Sequence, residues 1–496
     1  MTRRLICLGL AILAMGWTQT ALAREPDLAK MTGGELVAFA RAMPKGGELH
    51  NHLSGAIFAE TWLAWAAEDG LCVNVKSLSI VPACQPGGDL KLASSVSGDE
   101  VLRSAMIDSL SVRHPGFMYR SGHDQFFSSF GRVSAIGPGR QGDMLAYVME
   151  SLAAQNTYYL EAMVTPQIVG AVVKGTIVGW KGGDLPAQKT ALVAAGINDL
   201  VPRATADTDT MEARARSLLK CGTADARPGC QVTVRYLVQA IRALPPELVF
   251  AQLQLGVALI GADHRWVGLQ LVAPEDGPRA IADYGLHMRM IDYLTDHGRL
   301  APSALHAGEL TMDYALPEET RSHIRQAVEI AGARRIGHGV DLPLETDAEG
   351  LARQMAQQGI LVEVNLSSND AILGVSGKSH PYAWLRQRGV PTSLSTDDAG
   401  ILRIDLSHEY ARAADEGAVY GDLKTSARNA LAFSFLAGEG LWADPGSYRR
   451  PTRACAGQIG QETPSPGPCA DLVAASDKAR EQWRHEHLLA RFEQTR

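Results

Sequence analysis

Residues 46–55, GGELHNHLSG, set two histidines two apart inside a strand-like run. A β-strand points alternate side chains to one face, so His50 and His52 can project together onto a single ion. Three further segments place polar groups at the ends of apolar runs: His306 and Glu309 in LHAGEL (305–310), His338 in RIGHGV (335–340), and Asp397 with Asp398 in LSTDDAG (394–400). A lone His-x-His is weak, because such pairs arise by chance on many surfaces. Followed in order by His, Glu, His and Asp-Asp, it narrows to one metal site, and the pattern points to a hydrolase that activates water on a metal.

Outward from that stretch, short apolar or β-branched runs recur at 46–54, 157–165, 231–239, 266–273, 303–308, 335–340, 360–367 and 391–396. Helical spacing of apolar residues fills 143–155, 280–297, 317–332 and 346–358. Strand and helix alternating eightfold predict an α/β fold, a (β/α)8 TIM barrel, in which catalytic groups sit at the carboxyl ends of the strands. The candidate residues fall at those ends. Two stretches, near 68–140 and 167–230, break the alternation and read as insertions between early strands. The first is expected to form helices around Phe126, Phe127 and Phe130, which read as core packing. The Gly- and Pro-rich stretch 438–468 leads to an amphipathic helix near 478–492, so 438–496 reads as a C-terminal extension.

Arg3 and Arg4 precede an apolar run over 5–17, and Ala21-Leu22-Ala23 has the small-x-small form of a signal-peptidase site. Residues 1–23 are therefore expected to be a signal peptide, leaving 24–496 as a single barrel domain exported to the periplasm or the extracellular medium. The run is too short to span a bilayer, and stable membrane insertion is not expected. Loss of two arginines and no acid takes the net charge from -7 to -9, which argues against nucleic acid as a partner. Six cysteines remain after the segment, in pairs close in sequence: Cys72/Cys84, Cys221/Cys230 and Cys455/Cys469. Export and proximity predict three local disulfides. Composition carries no signal for the oligomeric state.

Three histidines and an aspartate give a divalent ion neutral nitrogens plus one charge, a mixture that suits one Zn2+ and leaves a position for water. Glu309, three residues beyond His306, is placed to exchange a proton with substrate. His338 is suited to hold the hydroxide or to stabilise charge as it adds. The remaining histidines read as structural, and His380, before Pro381, reads as a packing or capping residue.

The blocks MPKGGELHNHLSG, LHAGEL, RIGHGVDL, VEVNLSSN, SLSTDDAG and RNALAFSF, in this order over about 400 residues, resemble those of the adenosine deaminase family, including its secreted growth-factor-like branch. The resemblance implies His50, His52, His306 and Asp397 as metal ligands, Glu309 as proton donor to the purine ring and His338 as the residue that orients hydroxide. It also implies Asp398 as a contact to the far side of the base. The substrate would be a purine nucleoside, attacked at C6 with loss of ammonia. Two positions depart from the family pattern. Ser54 stands where the family carries an aspartate toward the ribose, which leaves the 5′ end of the substrate open to a phosphate or another group. Ala273, in VGLQLVAPED, stands nearest a glycine whose backbone NH meets the purine, and Pro274 beside it has no NH to offer. An AMP or N6-modified purine hydrolase, and a secreted nucleoside-binding protein with little catalysis, are the alternatives.

Overall fold

Near-continuous apolar runs suit strands buried on both faces of a parallel sheet. The computed structural model describes residues 25–113 and 121–495; the expected signal segment and residues 114–120 of the first insertion lie outside them. The strands are β1 (Gly47–His52), β2 (Cys72–Asn74), β3 (Ser79–Val81), β4 (Leu90–Leu92), β5 (Tyr159–Val164), β6 (Thr233–Ile241), β7 (Trp266–Val272), β8 (Ala304–Ala307), β9 (Arg335–His338), β10 (Leu361–Val364) and β11 (Thr392–Leu394). Eight of these form two parallel sheets, β1-β5-β6-β7 and β11-β10-β9-β8. Parallel bridges Asn51↔Asp397 and Leu269↔Ser303 join the sheets at both seams, so the barrel closes and presents no edge. Each run expected to be a barrel strand is one.

Closure and site are coupled along the β1–β11 seam. The Asp397 amide donates to the His50 carbonyl at 2.9 Å, and the His52 amide donates to the Asp397 carbonyl at 3.1 Å. The residues whose side chains converge thus also fasten the barrel. All six residues of β1 are buried although four of them are polar or charged, a costly arrangement unless each group finds a partner.

The first insertion differs in part from expectation. Besides helices Glu100–Ser109 and Gly122–Arg132 it holds an antiparallel sheet of order β3-β2-β4, whose three-residue strands are too short to show a period. The second consists of helices Ile168–Val178, Leu185–Ala194 and Val201–Leu218, and the tail ends in helix Asp477–Gln494. The expected helix at 317–332 begins only at His323, after a 3-10 turn at Glu319–Arg321. Disulfides join Cys72–Cys84, Cys221–Cys230 and Cys455–Cys469, the pairs that proximity predicts. Among the described residues no helix is long and apolar enough to cross a membrane.

Candidate metal centre and cavity

Alternation along β1 sends His50 and His52 inward, where they meet His306 from β8 and Asp397 just past β11. His50 Nε2 and His52 Nε2 stand 3.2 and 3.3 Å from His306 Nε2, and 3.3 and 3.2 Å from Asp397 Oδ1. Ligands about 2 Å from a common centre, spread tetrahedrally, are about 3.3 Å apart, so these separations match the Zn–N and Zn–O range.

The hydrogen bonds behind the rings decide which atoms face that centre. His50 Nδ1 donates to Glu363 Oε2 at 2.7 Å and His52 Nδ1 to Gln239 Oε1 at 3.0 Å, while Gln239 Nε2 is committed to Thr165 Oγ1. Both Nε2 lone pairs are thereby turned inward. Ser368 Oγ donates to Asp397 Oδ2 at 2.6 Å and leaves Oδ1 for the centre. Buried acceptors this close need a cation between them. Burial works against protonation of His50, yet Asp397 and Glu363 lift its pKa to about 10 in the absence of an ion. Divalent metals displace protons from such sites. Burial, reinforced by His50 and His338, drives His306 well below the usual histidine range, as a neutral ligand requires.

Glu309 and His338 lie beside this group, with Glu309 Oε1 3.5 Å from His338 Nδ1. Burial first and the Asp397 charge second push the Glu309 carboxyl well above the usual carboxylate range. Burial drives His338 to about 3 and keeps it neutral. Asp398 is buried, and burial again raises its carboxyl, with Asp397 adding to the effect against His52. Its Oδ1 has no protein partner among the described residues. Gly55 leaves the room that Asp398 occupies, because a Cβ there would lie 1.3 Å from Asp398 Oδ1.

These residues open into a cavity of about 450 Å³, within the range of small-molecule sites. Ser54 lies exposed at its rim, and Ala273 lines the wall beside Pro274. The Ala273 backbone has φ of 93°, a conformation that glycine adopts freely and alanine does not, while His338 and Asp397 lie at 68° and 61°. Three non-glycine residues at positive φ thus line the site. Phe126, Phe127 and Phe130 of helix Gly122–Arg132 wall the cavity. Phe126 does sit in an apolar cluster with Val340 and Ile372, so core packing describes only one side of these rings. His123 Nε2 ties this helix to Asp276, in the loop after β7, at 3.0 Å.

Several supporting residues escaped sequence reasoning. Arg242, wholly buried, donates to the carbonyls of Ala273 at 2.9 Å and His306 at 3.1 Å. Glu275 accepts the amides of Gly308 and Glu309 at 3.1 and 3.0 Å and so sets the loop that carries Glu309. Their only sequence signal is a charge at the end of an apolar strand. Glu363 shows the same signal inside LVEV.

The matches to known proteins follow this geometry. The family model described as Adenosine deaminase matches residues 142–440, more than half of the chain. An adenine deaminase of Sinorhizobium medicae is 32% identical over 218 residues, covering 43% of this chain and 60% of that protein's own length. Among solved structures, an amidohydrolase from Burkholderia ambifaria with bound Zn has TM-score 0.54 at 18% identity, covering 82% of this chain and 90% of the other. The N6-methyl-AMP deaminase of Arabidopsis thaliana has TM-score 0.51 at 21% identity, with 80% and 94% covered. The structural likenesses speak for the barrel, and the family match speaks for descent: the chain belongs to the adenosine deaminase family.

Proposed function

We propose that this chain is an exported, zinc-dependent purine aminohydrolase that converts adenosine, and 2′-deoxyadenosine, to the 6-oxo nucleoside and ammonia. The observation that carries this reading is the convergence of four lone-pair donors and the buried Glu309 carboxyl on one apolar-walled cavity. His50, His52, His306 and Asp397 would hold the ion, which when bound lowers the pKa of water to about 7 and so supplies a nucleophile at neutral pH. Glu309 holds a proton for the ring nitrogen beside C6, which makes C6 electrophilic before water adds. His338, neutral, hydrogen-bonds the oxygen that adds. Asp398, protonated, donates to a nitrogen on the far side of the base. The Ala273 NH serves the pyrimidine edge, and the three phenylalanines keep water from the ring. A protein that only binds nucleosides has no need of a proton-bearing carboxyl beside such a donor set.

The cavity wall speaks to the 5′ end. Among its described lining residues none is lysine or arginine. Arg242 gives Nε and Nη1 to backbone carbonyls, has Nη2 3.9 Å from Glu275, and is not among the lining residues. A phosphate would meet no countercharge, so an uncharged nucleoside suits the site better than AMP even with Ser54 at the rim. Three disulfides accord with export behind residues 1–23, and the mature protein should begin near Arg24 on N-terminal sequencing.

The test measures ammonia released from adenosine, 2′-deoxyadenosine, adenine and AMP, and methylamine from N6-methyladenosine, by zinc-loaded protein with a chelated control. Chelator-sensitive turnover of free nucleosides ahead of AMP supports the reading. Preference for AMP or for the methylated purine keeps the chemistry and moves the substrate; no amine from any of them contradicts it.

A further inference from the structure

His380 and Asn369 stand outside the cavity, yet they connect to His338 through hydrogen bonds whose direction one backbone group decides. The Tyr382 amide can only donate, and it lies 3.1 Å from His380 Nδ1. That nitrogen must accept, so neutral His380 carries its proton on Nε2. His380 Nε2 lies 3.0 Å from Asn369 Oδ1, which fixes the amide with oxygen toward His380. The other end of the amide, Nδ2, then donates to His338 Nδ1 at 2.9 Å. Asn365 Nδ2 approaches the same nitrogen at 3.4 Å, a second donor.

We propose that Asn369 and His380 are positioning residues that hold His338 in one tautomer, proton on Nε2, so that His338 acts in the reaction as a hydrogen-bond donor and not as a base. Every member of the relay is buried: His380 is 3% exposed, and Asn369 and His338 are fully enclosed. Water therefore does not compete for these bonds, and each reversal would leave two like partners facing each other. His338 Nε2 is itself buried with no protein partner among the described residues, as expected of a donor that awaits a ligand atom. Burial holds the His380 ring at about 4, so it does not gain a second proton that would erase the polarity of the relay at its outer end. The rival arrangement is an ionised Glu309 that takes a proton from His338 Nδ1 across their 3.5 Å separation. The amide group of Asn369, 2.9 Å from that nitrogen and turned by His380 to present Nδ2, speaks against it.

The role as donor rests on the aminohydrolase reading, but the tautomer does not. The direct test is 15N-histidine labelling of the full chain, with nitrogen–proton couplings reporting which ring nitrogen of His338 is protonated and His338→Gln identifying its signals. The expected result is a proton on Nε2; a proton on Nδ1 overturns the proposal whatever the substrate proves to be. Three substitutions separate relay from packing. Asn369→Asp presents only acceptors and should move the His338 proton to Nδ1, lowering kcat about 10- to 100-fold with KM unchanged, the range seen for groups that orient a reacting residue. His380→Gln can still accept from Tyr382 and donate to Asn369 and should keep the tautomer and most of kcat. His380→Asn satisfies Tyr382 but falls short of Asn369 and should lose both. Equal behaviour of the Gln and Asn variants, at equal thermal stability, would show a packing role and overturn the proposal.

Discussion

The barrel interior holds two polar layers that treat their charges in opposite ways. Toward the amino ends of the strands, Arg335, the first residue of β9, donates to Glu363 Oε1 at 2.6 Å and to Glu161, bonds the Phe433 carbonyl at 3.2 Å, and lies 4.0 Å over the Phe435 ring. Glu161 is further satisfied by the Tyr159 hydroxyl and the Phe435 amide, both at 2.7 Å. Three residues along the same strand, His338 opens the other layer, where acceptors crowd together, polar atoms lack protein partners and backbone sits at positive φ. The lower layer is complete within the protein; the upper one is complete only with an ion and a substrate. Glu363 belongs to both, with Oε1 on Arg335 and Oε2 on His50. A buried charge is therefore no sign of function in itself, and what marks the site among the described residues is the convergence of partnerless polar atoms on one cavity.

Substitutions in the two layers should fail differently. Glu309→Gln keeps size and hydrogen bonding but not the acid proton, so turnover should fall about 10²- to 10⁴-fold in a steady-state assay, while zinc content and inhibitor binding stay near wild type. Wild-type turnover would remove Glu309 from the chemistry. Arg335→Met strands Glu161 and Glu363 without their countercharge and should cost about 3–5 kcal/mol in urea unfolding. Little loss there would mean that the lower layer is not the closed network described. Glu363→Gln, at the junction, should lower zinc affinity about 10- to 100-fold in a competition titration, because His50 loses a charged partner on Nδ1. Smallest is Ala273→Gly, expected to raise stability by about 1 kcal/mol through release of backbone strain, with KM nearly unchanged because the backbone NH remains. A large rise in KM would instead assign the Ala273 methyl a contact with substrate.

The barrel was legible because its strands lie within apolar or β-branched sequence runs of six residues or more, so that even three-residue β11 falls inside the run 391–396. The β2–β4 sheet was not, since its strands are three residues each and depend on contacts with one another. The seven site candidates stood out as polar residues at the ends of apolar runs, and the fold brings all of them to one place. Their supports were hidden because such partners are set by three-dimensional closure: Glu363 is 313 positions from His50, and Gln239 is 187 from His52. His380 read as a capping residue because its bond to Tyr382 is a local turn; its second bond, to Asn369, has no local signature.

If His50, His52, His306 and Asp397 hold one ion on which turnover depends, metal content and activity must rise and fall together. The most direct measurement is metal content by elemental analysis, paired with ammonia release, for protein as purified, after chelation and after zinc is restored. The expected result is one zinc per chain, loss of zinc and turnover together, recovery of both, and a deficit of zinc in His306→Ala. Undiminished turnover by metal-free protein, or full zinc stoichiometry in His306→Ala, would contradict it.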